Sequence, residues 1–330
     1  MNRKGIFFTF LAVILMAVFI LIYTPSADIS IQKDTLAVRT RIATIDNFVN
    51  DLQYSYFVIV LRATAHKSIA SLVLHVNSTG KYVKNFDAVF AEVMINGTID
   101  GLQIDSITQK KIMENSTLSN WSARIIKTSS ETFNVNTSIR IINVSAQQTK
   151  PWALDLYMTV DFEVKSSLAM WNVSNITITA SLPIEGFDDP LFLANTNGHY
   201  SNKIKASSVQ FDKWNITQVR EHLRNGTYVH WEDSNAPGFL MRLTNTTTNS
   251  SCCGIEALVN PNKISSPDRR ESYIDYLFWN QSFSTQCPLL YNITNPSTGG
   301  GLWDEFRHFK LDLAHVIRYN ITGNDAIPTC

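Results

Sequence analysis

The feature that most constrains this chain is an uncharged, apolar run at its N-terminus, from Ile6 to Tyr23. Eighteen helical residues at about 1.5 Å each span roughly 27 Å, close to the hydrocarbon core of a bilayer. Arg3 and Lys4 precede the run, and positive charge on this flank predicts a cytoplasmic N-terminus and an extracellular C-terminal region. We therefore expect a single membrane-spanning helix whose partner is membrane lipid.

Two other interpretations of the apolar run are weighed against this one. A buried core helix rarely consists of so many consecutive apolar residues so near the start of a chain. A cleaved secretory signal has an apolar region of about 7–15 residues and a small-residue cleavage site, and no clear A-x-A site follows this run. A retained anchor in the cell membrane is the favoured interpretation.

A short basic leader, residues 1–5, ends in Gly5, and the apolar segment follows from Ile6 to Phe10 as Ile-Phe-Phe-Thr-Phe. This start resembles that of an archaeal type IV pilin-like precursor. In that family a membrane peptidase cuts after the glycine and the helix stays, so the resemblance implies cleavage between Gly5 and Ile6. It also implies self-association with pilin-like subunits through the helix over 6–23. Pro25 lies where pilin helices often kink, whereas Phe10 stands where bacterial pilins usually have glutamate.

A second periodic pattern follows the proline. Apolar residues recur alternately four and three positions apart over five heptads, which predicts a long helix with one continuous seam facing another helix. Shorter apolar patterns predict two more helices, so 26–131 is expected to form a helical stalk or bundle. Intramolecular packing is preferred to an intermolecular coiled coil. The seam is Val38, Ile42, Ile45, Val49, Leu52, Tyr56, Ile59, Ala63, His66, Ala70 and Val73.

From Phe133 the apolar period changes from helical spacing to two. The clearest run, Leu154 to Val164, alternates apolar with mixed residues, which is typical of an antiparallel strand with one buried face. Shorter runs, including Phe239 to Leu243, predict further strands. The fold class is therefore α+β, with a transmembrane helix, a helical stalk and a β-rich glycosylated region over 132–330.

Composition indicates how the outer surface is hydrated. Charged residues make up only 17% of the chain, whereas Asn, Ser and Thr number 87 together. Fifteen N-x-S/T triplets occur, against roughly five expected from random placement, and all follow the apolar run. We expect several of these asparagines to carry glycans that also cover exposed sheet edges. The acceptors are Asn77, Asn96, Asn115, Asn120, Asn136, Asn143, Asn172, Asn175, Asn215, Asn225, Asn245, Asn249, Asn280, Asn292 and Asn320.

Four cysteines, Cys252, Cys253, Cys287 and Cys330, lie in the last quarter of the chain. An even number on an extracellular region predicts disulfides. Because neighbouring cysteines rarely bridge each other, Cys252 and Cys253 are expected to pair separately with Cys287 and Cys330, in an order that stays open.

No catalytic, cofactor or metal site is predicted. The sequence contains no nucleophile elbow, metalloprotease motif or phosphate loop, and two clusters of metal-ligand residue types are weighed instead. The first could bind a transition metal if the run from Phe306 to Tyr319 were helical, but a strand would separate its members. The second could bind calcium, although its spacing matches no EF-hand loop. Their members are His308, Asp312 and His315 in the first, and Glu185, Asp188 and Asp189 in the second.

The sequence thus predicts a structural cell-surface glycoprotein, either a filament subunit or an adhesin, and not an enzyme. Equal numbers of basic and acidic residues, 28 of each, argue against nucleic acid as a partner. A membrane-anchored ectoenzyme, such as a type II hydrolase or glycosyltransferase, is the alternative, and a viral or eukaryotic attachment glycoprotein is the third interpretation.

Overall fold

The computed structural model describes residues 12–18, 27–264, 273–280, 290–293, 305–306, 309–321 and 326–329. Residues 12–18 are the described part of the predicted membrane helix. They are helical and expose their apolar side chains, with Val13 65% and Met16 69% exposed. The predicted cleavage position between Gly5 and Ile6 lies outside the described residues.

One helix near the N-terminus, Thr35–Thr79, is long and apolar enough to cross a membrane by length and composition. More than half of its most apolar segment is buried inside the fold. Burial of this kind is typical of a core helix of a globular domain, so this helix is part of the folded body.

Between residues 27 and 133 the chain forms five α-helices, a π-helical turn and a small hairpin. Gly80 and Gly97 end two of the helices in the left-handed conformation, with φ of 65° and 74°, as expected for glycine caps. The elements are α1 (Ala27–Asp51), a π-helical turn (Leu52–Tyr56), α2 (Phe57–Thr79), α3 (Phe86–Asn96), β1 (Thr98–Ile99), β2 (Leu102–Gln103), α4 (Ile104–Thr108) and α5 (Leu118–Phe133).

The predicted heptad seam matches the buried face just before the π-helical turn and departs from it at several positions beyond the turn. Ile45, Val49 and Leu52 before the turn are buried. Beyond it, Ile59 is 64% exposed and His66 is exposed, whereas Val73 is buried. A π turn holds one more residue than the α-helical pattern allows, so the buried positions beyond it move by one residue. The buried residues of α2 are Phe57, Val60, Leu61, Thr64, Ala65, Ser68, Ile69, Ser71, Leu72, Val73 and Val76.

Three long strands form an antiparallel sheet in the order β3–β4–β5, with β3 at Asn136–Lys150, β4 at Ala153–Lys165 and β5 at Met170–Pro183. Burial alternates along β4, as its sequence predicts. The long helix packs on the buried face, where the rings of Phe57 and Phe162 have centroids 5.6 Å apart. The buried face of α2 thus packs against the sheet, and the α+β class is confirmed.

The helices and the sheet share one hydrophobic core. Ile45 and Leu72 from the long helix, Phe90 from α3 and Leu156 from β4 belong to the same cluster of buried side chains. The helices therefore pack on the sheet and share its core, instead of forming a bundle with a separate core.

After β5 the described residues form short helices joined by loops, around a second buried cluster that includes Trp214, Trp231 and Tyr319. The strand predicted at Phe239–Leu243 is a helix, because a five-residue apolar run does not distinguish the two periods. The elements are α6 (Pro190–Asn195), α7 (Ile216–Asn225), α8 (Phe239–Leu243), α9 (Asp275–Phe278), β6 (Leu290–Ile293), β7 (Lys310–Asp312), α10 (Leu313–Arg318) and β8 (Ala326–Thr329), and the last three strands form a sheet in the order β7–β6–β8.

The predicted cysteine pairing is corrected. A disulfide joins Cys252 to Cys253, the adjacent pair that the sequence argument excluded. A tight turn at residues 251–253 brings the two sulfurs together, and both lie near the carbonyl oxygen of Gln148. Cys287 and Cys330, the predicted partners, lie outside the described residues.

Candidate functional site

The most extensive group of candidate functional residues is the set of fifteen glycan acceptors, all of which lie among the described residues. Eleven of the side chains are exposed, four are half-buried and none is buried. A glycan is bulky and hydrated, so an acceptor must lie at the surface. The half-buried acceptors are Asn77, Asn120, Asn280 and Asn292.

Four exposed acceptors lie on the two edge strands of the long sheet. Asn136 and Asn143 belong to β3, and Asn172 and Asn175 belong to β5 or its bulge, whereas the central strand β4 carries none. Edge strands present unpaired backbone groups that invite pairing with another chain. The acceptors therefore stand where bulky glycans would block that pairing.

Some acceptors also have structural roles. Asn215 caps α7, because its Oδ1 accepts hydrogen bonds from the backbone N–H groups of Thr217 and Gln218 at 2.9 and 3.2 Å. This cap uses the amide oxygen, whereas glycans attach to the nitrogen. Asn320 differs, since its Nδ2 donates to the Trp214 carbonyl at 3.4 Å. Asn320 is therefore a poorer acceptor than Asn215.

A buried ion cluster lies at the centre of the C-terminal region. Arg242 of α8 is fully buried, and its Nη1 lies 2.7 Å from Oδ2 of Asp189 and 2.7 Å from Oδ2 of Asp275. Tyr228 donates its hydroxyl to Asp189 at 2.8 Å, and Asn202 donates to the Tyr228 oxygen at 3.0 Å. One guanidinium thus connects α6, α8 and α9.

The cluster contains two carboxylates, Asp189 and Asp275, but only one guanidinium, that of Arg242. Burial raises the pKa of Asp275 to about 6, although Arg242 opposes the shift. Burial opposes the charge on Arg242 too, but Asp189 and Asp275 outweigh it and raise the pKa of Arg242 above its ordinary value. The guanidinium therefore stays charged and holds the cluster together.

A second buried cluster centres on His315 in α10. Its Nδ1 lies 2.5 Å from Oδ1 of Asp312, and its Nε2 lies 3.2 Å from Oε2 of Glu256. Ser234 donates to the same Glu256 oxygen at 3.0 Å. Burial lowers the pKa of His315, but Glu256 and Asp312 outweigh burial and raise it to about 10. The imidazolium is therefore an ion-pair partner of two carboxylates.

Replacing His315 with glutamine should change how stability depends on pH. The pKa of His315 is about 10 in the folded chain, above the ordinary histidine value of 6.5, so its stabilisation is complete below pH 6.5. That stabilisation is lost as pH rises toward 10, with a limiting slope of about 1.4 kcal/mol per pH unit. Urea unfolding of the parent chain and H315Q between pH 6 and 10 measures the difference.

The exposed His199 provides the control for this experiment. H199Q should keep the pH slope of the parent chain, whereas the slope of H315Q should be smaller between the two pH values. Equal slopes for the parent chain and H315Q would contradict the ion pairing of His315 with Glu256 and Asp312.

The structure describes five of the six side chains that the sequence offers as metal ligands. Asp312 and His315 contact each other, but His308 lies outside the described residues. Of the calcium candidates, Asp188 pairs with Lys203 at 3.3 Å, whereas Asp189 is buried against Arg242. Within the described ranges, no group of three or more metal-ligand side chains is found.

Sequence reasoning missed the buried charges and misplaced one histidine. From its sequence position close to Asn225 and Gly226, His222 is predicted to lie at the surface; in the structure it is buried, and burial lowers its pKa to about 4. The sequence does contain a signal for the buried charges, because Arg242 and Glu256 each interrupt a short apolar run. A charged residue flanked by apolar residues on both sides is a candidate for a buried ion pair.

Comparison of this chain with models of protein families, with curated proteins and with solved structures finds no match in any of the three. Function therefore has to be argued from the chain's own residues.

Proposed function

We propose that this chain is a glycosylated cell-surface protein, anchored by a pilin-like N-terminal helix, with a structural role as a filament subunit or an adhesin. The observation that carries the proposal is the position of the acceptors, since none of the fifteen is buried. Asparagines in turns and strands that served only the fold would not all have to be accessible.

The long sheet supports the same proposal. Its outer face is polar and uncovered, and its two edge strands carry four acceptors. With charged residues at only 17% of the chain, sugar would supply the hydration and the steric protection that charge supplies elsewhere.

The exposed apolar helix supports the anchor. Residues 12–18 expose five large apolar side chains, an arrangement that is costly in water. Lipid would cover them in a monomeric anchor, and neighbouring helices would cover them in a filament. The two forms differ in whether this helix packs against copies of itself. The side chains are Val13, Ile14, Leu15, Met16 and Val18.

Mass spectrometry of the protein purified from its own cells tests the proposal. The intact mass should exceed the sequence mass and should fall after chemical deglycosylation. The N-terminal peptide should begin at Ile6, because the pilin-like leader ends at Gly5. Exposed acceptors such as Asn143 and Asn172 should be occupied more fully than the half-buried Asn292.

The outcomes separate the parts of the proposal. An unchanged mass after deglycosylation would refute the proposal that the chain carries glycans. A start near Ser26 would indicate a secreted protein, and a start at Met1 would indicate a plain anchor. Electron microscopy of cells with the tagged protein distinguishes a filament subunit from a monomeric surface protein.

A further inference from the structure

A half-open cavity of about 200 Å³ lies beside the buried hydrophobic cluster that includes Trp214 and Trp231. Its walls are mainly aromatic, with Trp152, Phe211 and Trp231 among the lining residues. Phe211 is 62% exposed and stands edge-on to Trp231, with ring centroids 4.3 Å apart. The ring of Phe211 is therefore an accessible aromatic surface at the cavity, on which a ligand could pack.

We propose that this cavity is a binding site for a neutral carbohydrate and takes a single sugar ring. Among the described residues that line it, none carries a formal charge, which argues against an ionic ligand such as a phosphate. A volume of about 200 Å³ is below the range of about 300–1,000 Å³ typical of drug-sized ligands and suits one small ring.

The aromatic walls match the chemistry of a sugar ring. A pyranose has one face lined by C–H groups, and such a face packs on an aromatic ring, while its hydroxyls need hydrogen-bond partners. Phe211 and Trp231 meet at 88°, which forms a corner. A corner fits a thick, puckered ring better than a flat base, which requires two parallel planes.

Two polar groups of the cavity are already oriented by the protein. Nδ1 of His230 lies 2.6 Å from the Gly254 carbonyl, so this nitrogen donates, and in the tautomer with its proton on Nδ1 the Nε2 atom is an acceptor. The Ser207 oxygen accepts from the backbone N–H of Val209 at 3.3 Å, which leaves its hydroxyl hydrogen as a donor. One donor and one acceptor suit a sugar hydroxyl, which does both.

The proposed glycans would place neutral sugars on the protein surface close to this cavity. Asn215 directly follows the lining residue Trp214, and Asn225 lies three residues before Tyr228, another lining residue. The site itself does not depend on the proposed function, because the cavity can be tested in a chain that carries no glycans.

Saturation-transfer difference NMR tests the site on the full-length chain produced in bacteria and held in a detergent without a sugar headgroup. The probes are the methyl glycosides of glucose, galactose, mannose and N-acetylglucosamine, with 9-methyladenine as a flat, neutral comparison that has no sugar ring. At least one glycoside should receive saturation on its ring C–H protons, with a dissociation constant of about 1 mM, as expected for so small a ligand.

Phe211→Ala should weaken this binding about tenfold, because it removes the exposed aromatic wall. Tyr54→Ala is the matched control, since Tyr54 is an aromatic residue that is 69% exposed and does not line the cavity. His230→Asn, which keeps a donor near Gly254 and removes the Nε2 acceptor, should also weaken binding. Circular dichroism of each variant verifies that it folds.

Binding of a glycoside that F211A weakens and Y54A preserves supports the site. The proposal is overturned if no glycoside receives saturation, if F211A and Y54A bind equally, or if 9-methyladenine alone binds.

Discussion

Deleting Ser55 is expected to leave the fold nearly unchanged, whereas deleting Ala63 from the same helix should destabilise it severely. Both residues are small and exposed. Ser55 lies in the π-helical turn, which holds one extra residue, so its removal leaves a regular α-helix whose two buried faces still align. The free energy of unfolding should change by less than about 1 kcal/mol.

Ala63 lies in regular α-helix, where deletion turns everything beyond it by about 100° relative to the sheet. His66 and Asn77 would then enter buried positions, and the free energy of unfolding should fall by more than about 4 kcal/mol. Guanidinium unfolding of the two deletion variants, followed by tryptophan fluorescence, measures both. Equal losses would show that the π turn is not the point where the pattern gains a residue.

Replacing Arg242 with methionine should cost about 3–5 kcal/mol of stability. The side chain is fully buried, and its removal leaves Asp189 and Asp275 without their cation in a region of low dielectric constant. Arg242 also donates to the backbone carbonyl of Ile255, which would lose this partner. The same unfolding experiment measures the loss.

Lys203→Met is the control for this substitution, because Lys203 pairs with Asp188 next to the cluster, and its side chain is 67% exposed. Its loss should cost less than about 1 kcal/mol, since water solvates both charges of an exposed pair. Asn replacements at Asp189 and Asp275 together with R242M should recover part of the stability, because no buried carboxylate then remains unpaired. A small loss in R242M itself would contradict the structural role of the cluster.

Local periodicity predicted the elements of the first half of the chain well. Alternation in Leu154 to Val164 predicted β4, and the spacing of apolar residues predicted the helices between positions 26 and 131. These patterns are reliable because the side chains face a single partner surface over many residues. The heptad pattern failed beyond Tyr56, because a one-residue insertion in the helix leaves no mark on the sequence.

The C-terminal region was predicted less well, since its order comes from a few long-range contacts. Arg242 meets Asp189 across 53 positions and Asp275 across 33, and no local pattern encodes such distances. The cavity is similar, because Trp152 comes from the β3–β4 connection and its other lining residues from 206–231. The adjacent disulfide was missed because the pairing argument considered only how rarely neighbours bridge.

By itself, the sequence determined the apolar N-terminal run, the fifteen acceptor triplets and the α+β order of the elements, because each is a property of consecutive residues. Only the tertiary structure decided which face of the long helix is buried, which charges are enclosed and where aromatic side chains meet. Those depend on residues far apart in the chain that compete for the same space, and packing alone settles that competition.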